Sequence, residues 1–149
     1  MSKNPAANSY LRTKVMTSSP QQLRLMLFDG AIRFTRKGRE AVEAERIEDG
    51  FESLVRAQKI VLELSTSLNH EIAPELCEKM SALYTYIYRL LVDANVEKNV
   101  TKIDEAIRLL EYERQTWQMF IEKVGNDQPV PSDDHLDLGD GENRTALSA

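Results

Sequence analysis

The segment Thr17-Ser-Ser-Pro-Gln-Gln-Leu-Arg-Leu-Met-Leu-Phe-Asp-Gly-Ala-Ile-Arg-Phe34 decides how the rest of the chain is organised. Ser19, Pro20 and Gln22 form the pattern of an N-cap, a proline in the first turn and a capping-box partner, so a helix is predicted to begin here. At 100° per residue this helix carries two apolar arcs. One arc is predicted to face the core: Leu23, Met26, Leu27, Gly30, Ala31, Phe34, Gly38 and Ala41. The other, nearly opposite, contains Leu25, Phe28 and Ile32.

A second apolar arc on one helix of a small bundle requires a partner, which is another segment, a second subunit or a ligand. The next helix, predicted over residues 51–68, repeats the pattern. Its predicted core arc is Phe51, Leu54, Val55, Gln58, Val61, Leu62, Ser65 and Leu68. Its second arc, which has the small residues of a shallow groove floor, is Ser53, Ala57, Ile60, Leu64 and Ser67.

Two further helices are predicted, from about Pro74 to Asn95 and from the N-cap Thr101 to Val124, where Gly125 and Asn126 are expected to end the helix. Arg114 falls on the predicted core side of the last helix and therefore needs a carboxylate or carbonyl partner, or must extend its charged end to the end of the bundle. Four helices joined by short links favour an all-α fold, an antiparallel up-down four-helix bundle. The predicted organisation is a flexible N-terminal docking segment (1–18), the bundle (19–125) and a disordered acidic tail (126–149).

Charge is distributed unevenly along the chain. The formal net charge is −5, and it comes from the C-terminal segment, where six acidic residues from Asp127 to Glu142 face one base, Arg144. Residues 1–124 hold 18 acidic and 18 basic residues. This neutral region disfavours nucleic-acid binding, although the basic residues from Arg33 to Arg39 leave that alternative open.

The sequence contains no motif of an enzyme or a cofactor site. A di-iron bundle requires Glu-x-x-His pairs on inward faces, and a phosphotransfer bundle requires a histidine on a helix. The only two histidines, His70 and His135, are predicted to lie in a loop and in the tail. We therefore predict no enzyme activity, no catalytic residue, no cofactor and no metal. A single cysteine, Cys77, and the lack of a long apolar run predict a soluble protein of the bacterial cytosol that does not insert into membranes.

The chain resembles the flagellar secretion chaperone family over about residues 8–124. The most specific matches are Tyr10, Val15-x-Thr17-Ser-Ser-Pro20 and Leu23-x-Leu25-Met-Leu-Phe28-Asp-Gly-Ala-Ile32. Supporting matches are the end of the second helix from Glu63 to Asn69, Leu83-Tyr84, Leu90 with Ala94-Asn95, Leu109-Leu110 and Trp117. Phe28 stands where the family commonly has tyrosine, and the acidic tail is outside the family's core pattern.

The resemblance implies a helical bundle that holds the disordered C-terminal segment of flagellin, prevents its polymerisation and keeps it competent for type III export. Flagellar export apparatus components are further expected partners. We predict that the client is bound by the second arcs, namely Leu25, Phe28, Ile32, Ala57, Ile60 and Leu64. Tyr10 and Val15 are predicted to gate this surface by shielding part of it before the client binds.

The main alternative to the chaperone is a homodimeric helical module that interacts with a different protein partner. The second arcs of two copies could pair across a two-fold axis, which would make the chain a homodimeric interaction module instead of a chaperone. The sequence leaves open whether the protein is a monomer or a homodimer.

Overall fold

The structure is a computed structural model, and it describes residues 5–71 and 73–127, with side chains described for 6–13, 18–71 and 73–123. Within these residues the chain forms helices and no strand, as predicted. The helices are α1 (Pro5–Thr17), α2 (Pro20–Glu43), α3 (Ile47–Thr66), α4 (Pro74–Glu97) and α5 (Val100–Asp127).

Helices α2 to α4 and the part of α5 up to Thr116 pack as an up-down bundle in which chain neighbours are antiparallel. Arg24 near the start of α2 reaches Leu64 near the end of α3, and Asn95 near the end of α4 reaches Phe51 near the start of α3. Ion pairs of Arg39 with Asp104 and of Asp29 with Arg114 join α2 to α5 in opposite directions. The predicted all-α bundle is therefore confirmed.

The chain divides after Thr116 into two compact units, and α5 contributes to both. The first unit contains α1 to α4 and the first part of α5. In the second unit the rings of Trp117 and Phe120 stack at 5.0 Å.

The predicted start of α2 is confirmed, whereas both ends of α5 differ from prediction. Gln22 N–H donates to Ser19 Oγ at 3.2 Å, with Pro20 in the first turn. At α5 the cap is Asn99, whose Oδ1 accepts from Lys102 N–H at 3.1 Å, so the prediction of Thr101 was wrong by two residues. Helix α5 also continues to Asp127 and does not end before Gly125, because a glycine weakens a helix without necessarily ending it.

The N-terminal segment, predicted to lack structure of its own, is helical as α1 from Pro5 to Thr17. Its described side chains, from Ala6 to Thr13, are all exposed. The helix therefore carries no buried face over these residues. The predicted acidic tail lies outside the described residues from position 128 onward.

Glycines on α2 allow α3 to approach closely. A Cβ at Gly38 would stand 2.7 Å from Leu54 Cδ2, and one at Gly30 would stand 3.2 Å from Ile60 Cδ1. In the other direction, Gly50 of α3 lies against Val42. This helix was predicted to begin at Phe51; α3 instead begins at Ile47, after a turn in which Glu45 has φ 60°.

This close approach sets which faces point inward. On α2 the buried residues include members of both predicted arcs and two residues that lie between the arcs, Arg24 and Thr35; the full set is Arg24, Phe28, Gly30, Ala31, Thr35, Gly38 and Ala41. The two arcs are thus the flanks of one broad inward face. On α3 the small residues point inward, with Gly50, Leu54, Ala57, Val61 and Leu64 buried.

Candidate binding surface

Three of the six predicted client-binding residues lie in the core. Phe28 is 1% exposed and Ala57 and Leu64 are 0% exposed, so they form no surface in this structure, and their role in client binding stays a prediction. Phe28 packs against Tyr84 of α4, with ring centroids 6.2 Å apart. The physical reason is the close α2–α3 contact at Gly30 and Gly38, which draws the small side of α3 inward.

The other three predicted residues, Leu25, Ile32 and Ile60, are half-buried. Leu25 and Ile32 of α2 lie on one side of that helix, and Ile60 of α3 lies against another side. Leu25 and Ile32 share a heptad spacing with Asp29 and Arg36, which pair with α5. Ile60 lies across Gly30 on the side of α3. The structure therefore does not bring Leu25, Ile32 and Ile60 together into one surface.

The predicted gating residues lie on α1. The Tyr10 side chain is 66% exposed, so it is not buried against the bundle. The side chain of Val15 lies outside the described residues. A gating role for either residue stays a prediction.

Exposed and half-buried apolar side chains occur instead on the outer side of α3 and α4, with Gln58 between Val55 and Leu62. On α3, Phe51, Val55 and Leu62 share one side of the helix by their spacing, and Phe51 and Leu62 are 54% and 51% exposed. We call this surface the α3/α4 groove, and we define it by six residues: Phe51, Val55, Leu62, Tyr88, Val92 and Val96. Tyr88 and Val92 are half-buried, whereas Val96 on the rim is 78% exposed.

Hydrogen bonds fix the register of the two helices that form the groove. Asn95 Nδ2 donates to the Phe51 carbonyl at 3.4 Å, and the hydroxyls of Ser65 and Ser81 lie 3.5 Å apart. In this antiparallel register Val55 lies level with Val92. The twelve residues from Phe51 to Leu62 span about 16 Å, or three helical turns.

One end of the α3/α4 groove is electropositive. Lys98, with φ 55°, ends α4 in the left-handed conformation. Its Nζ donates to the Asn95 carbonyl at 2.7 Å and lies 5.9 Å from the centroid of the Phe51 ring. The lysine therefore compensates the carbonyl end of α4 and places a cation beside an exposed aromatic ring.

Sequence reasoning assigned Phe51, Val55 and Leu62 to the core. Both sides of this helix carry apolar residues, so periodicity alone did not distinguish inside from outside. The signal that could have done so is size. Gly30 and Gly38 on one helix and Ala57 on the next predict a close contact, which leaves the larger side chains of α3 outside.

Two polar side chains lie inside the bundle. Arg24, 8% exposed, donates from Nη2 to the Leu64 carbonyl at 2.8 Å and lies 5.8 Å from the Tyr84 ring centroid. The Tyr84 hydroxyl is buried and has no hydrogen-bond partner among the described residues. Burial raises the pKa of Tyr84 to about 12.

Arg114 has a carboxylate partner, which is one of the two possibilities that the sequence left open. Its Nε lies 2.5 Å from Asp29 Oδ1. Arg39 pairs in the same way with Asp104, and its hydrogen bond holds the pKa of that carboxyl below the ordinary value. These pairs fasten α2 to α5.

The described residues contain no group of three or more acidic, histidine or cysteine side chains arranged to hold a metal ion. None of the helices in the described part of the chain is long and apolar enough to cross a membrane. The feature that remains is an exposed apolar groove between two helices. The fold and this groove define an all-helical module for binding another polypeptide.

Comparisons with known proteins agree with this class. The family described as "Flagellar protein FliS" matches residues 2–124. The Flagellar secretion chaperone FliS of Bacillus subtilis (strain 168) is 34% identical over 120 residues, covering 80% of this chain and 89% of that protein. The protein of the same name from Campylobacter jejuni is 33% identical over 130 residues, covering 87% and 98%.

A solved structure is similar as well. A crystal structure of a bacterial flagellar chaperone superposes with a TM-score of 0.66 at 25% identity, covering 80% of this chain and 97% of that one. The chain belongs to the FliS family of flagellar proteins, and the predicted resemblance is confirmed.

Proposed function

We propose that this protein is a non-enzymatic export chaperone of the bacterial cytosol that binds the C-terminal segment of flagellin. Binding keeps the segment from polymerising and competent for type III export. The names of the relatives support the export role. The observation that carries the proposal is the α3/α4 groove, because an apolar groove three turns long suits an amphipathic helix of a client that is disordered when free.

The energetics require a contact with several large side chains. Burying one such side chain contributes roughly 1.5–3 kcal/mol, whereas ordering a disordered segment costs about 2–5 kcal/mol or more. Phe51, Leu62 and Tyr88 supply large apolar groups. The half-buried Leu25, Ile32 and Ile60 remain proposed secondary contacts, which a client that wraps around the bundle would reach.

The proposal is tested by calorimetry with purified flagellin and with flagellin lacking its C-terminal segment. We expect one-to-one binding with a negative heat-capacity change, lost on truncation of the client. Replacing Phe51 and Leu62 together by alanine should weaken binding at least tenfold, since about 1.4 kcal/mol corresponds to a factor of ten.

The matched control is Tyr112→Ala, because Tyr112 is an exposed aromatic residue of α5, 68% exposed, outside the groove. This variant should bind as the parent does. If both variants bind like the parent while Leu25→Ala with Ile32→Ala weakens binding, the client surface lies on the α5 side of α2. If intact flagellin does not bind at all, the chaperone proposal is wrong.

Gating by the N-terminal segment is tested in the same assay. A chain that begins at Ser18, and separately Tyr10→Ala, should bind the client more tightly if α1 competes for the groove. Unchanged affinity in both would argue against a gating role for Tyr10 and Val15.

A second candidate is the homodimeric module, favoured by the same exposed groove, which could pair with itself. Sedimentation over a range of concentrations without any client distinguishes the two. Self-association that Phe51→Ala abolishes, together with no flagellin binding, would favour the dimer.

A further inference from the structure

Three cations converge on one aromatic ring on the outer side of α2 and α3. The charged ends of Arg33, Lys37 and Arg56 lie 5.1, 5.7 and 5.4 Å from the centroid of the half-buried Phe34 ring. We call these four residues the Phe34 cluster, and all four belong to the first compact unit. Each cation interacts favourably with the ring, but the three repel one another.

The three cations of the Phe34 cluster have no carboxylate within 4 Å among the described residues, whereas other arginines of the bundle do. Arg36 pairs with Glu111 of α5. Asp29, which precedes Arg33 by one helical turn, pairs with Arg114 instead. Cations that converge on one point without compensating anions form a surface for a negatively charged ligand.

Carboxylates close one side of the Phe34 cluster. Lys37 also lines a polar pocket of about 300 Å³ whose other walls include Glu40, Asp49 and Glu52. An anionic ligand that extended in this direction would meet like charges. The ligand is therefore expected to extend the other way, from Phe34 towards the start of α2.

An apolar contact lies on that other side, one helical turn away. Gly30 precedes Phe34 by four residues and shares its side of α2, and Ile60 follows Arg56 by four residues on α3. A Cβ at Gly30 would stand 3.2 Å from Cδ1 of the half-buried Ile60. Because α2 and α3 are antiparallel, the outer surface between them passes from Ile60 to the Phe34 cluster over one turn, about 5.4 Å.

The extent and composition of this surface select the class of ligand. Guanidinium groups bind both carboxylates and phosphates. A nucleic acid carries a regular row of phosphates and gains affinity by neutralising many of them, but here three cations lie between carboxylates on one side and an apolar side chain on the other. A polypeptide is suited to this pattern, because it can combine two or three carboxylates with one large apolar residue.

We propose that the Phe34 cluster binds an acidic segment of a partner polypeptide, with carboxylates on Arg33 and Arg56 and an apolar side chain against Ile60. The proposal does not depend on the proposed function, since the cluster and Ile60 lie on a different side of α3 from the α3/α4 groove. Exposed ion pairs are individually weak and are screened by salt. Binding is therefore expected at low ionic strength and is lost at high ionic strength.

The probe is a synthetic peptide of three glutamates, one alanine and two leucines with both ends blocked, titrated into the isotope-labelled full chain. One helical turn equals about two extended residues, so the leucines reach Ile60 when the glutamates lie on the cations. At 0.1 M salt we expect saturable shifts of the backbone amide signals of residues 33, 37, 56 and 60. These shifts should disappear at 1 M salt, where the Debye length has fallen from about 10 to about 3 Å.

Replacing Arg33 and Arg56 together by glutamine should weaken binding of the peptide at least tenfold. The matched control, Arg89→Gln with Arg108→Gln, removes two exposed cations from α4 and α5 and should change the affinity less than twofold. If the Arg33 and Arg56 variant folds poorly, a peptide with glutamines in place of glutamates tests the same contact on the unaltered protein. It should also bind at least tenfold more weakly.

The proposal is overturned if the acidic peptide gives no saturable shifts at the Phe34 cluster, or if the control pair weakens binding as much as the Arg33 and Arg56 pair. Equal affinity for a peptide with alanines in place of the leucines would mean that any anion suffices. Tighter binding of a ten-nucleotide oligothymidine at the same residues would assign the surface to a polynucleotide. Either result would overturn the acidic-segment assignment, and because no flagellin is present, neither bears on the chaperone proposal.

Discussion

The guanidinium of Arg24 donates from Nη2 to the backbone carbonyl of Leu64 at 2.8 Å, and from Nη1 to the Ser67 hydroxyl at 3.3 Å. This side chain of α2 therefore satisfies the last turn of α3 from inside the bundle, with its cation at the helix end that favours positive charge. Leu64, which the sequence analysis predicted to contact the client, is held in the core by its buried side chain and by the hydrogen bond that its carbonyl accepts from Arg24.

Arg24→Ala is expected to lower the free energy of unfolding by about 2–3 kcal/mol, because a buried carbonyl loses hydrogen bonds from a charged donor. Urea denaturation measures the loss. The control is Arg36→Ala, which breaks the exposed pair with Glu111 and should change stability by less than about 1 kcal/mol. Equal losses in both variants would mean that the Leu64 contact contributes no more than a surface ion pair.

Gly38→Ala should destabilise the protein by about 1–3 kcal/mol, because the added Cβ would lie 2.7 Å from Leu54 Cδ2 and 2.8 Å from its Cγ in a fully buried side chain. Gly30→Ala is the matched control. Its only close neighbour is the flexible end of Ile60 at 3.2 Å, and alanine favours the helix by up to about 1 kcal/mol. The midpoint temperature of thermal unfolding should therefore be well higher for Gly30→Ala than for Gly38→Ala. The reverse order would contradict the close contact between Gly38 and Leu54.

Phe28→Ala is expected to lower the stability of the fold, whereas Phe51→Ala is expected to weaken client binding. Phe28 is buried, and its truncation should lower stability by about 3–5 kcal/mol. Phe51 is 54% exposed, so its truncation should cost much less stability and weaken client binding instead. Chemical denaturation and calorimetry on both variants separate the two effects. A stable Phe28→Ala that fails to bind flagellin would restore the sequence-based assignment.

The sequence alone was sufficient for the bundle and the start of α2, because local capping and helical period determine them. It was not sufficient for the binding surface. Phe28 and Leu62 each belong to an apolar arc, and which arc is buried depends on how closely α2 and α3 approach at Gly38. That distance is a property of two helices together and is invisible in the periodicity of either one.

The Tyr84 hydroxyl gives the last prediction, a loss of stability in alkali. Its pKa is about 12 in the folded protein and about 10 in an unfolded chain, so the folded state keeps its proton where the unfolded state has lost it. The contribution is fully present below pH 10 and declines as the pH rises towards 12, by about 2–3 kcal/mol in total. Tyr84→Phe should remove this decline. Near pH 7 it should leave the free energy of unfolding unchanged or raise it, because the hydroxyl has no partner among the described residues.

Tyr86→Phe, which removes an exposed hydroxyl bonded to Glu105 at 2.7 Å, is the control and should retain the decline. Denaturation curves between pH 7 and 11.5 measure the free energy of unfolding of each variant. If Tyr84→Phe is less stable than the parent at neutral pH, the Tyr84 hydroxyl has a hydrogen-bond partner, and its assignment as an unpaired buried group is wrong.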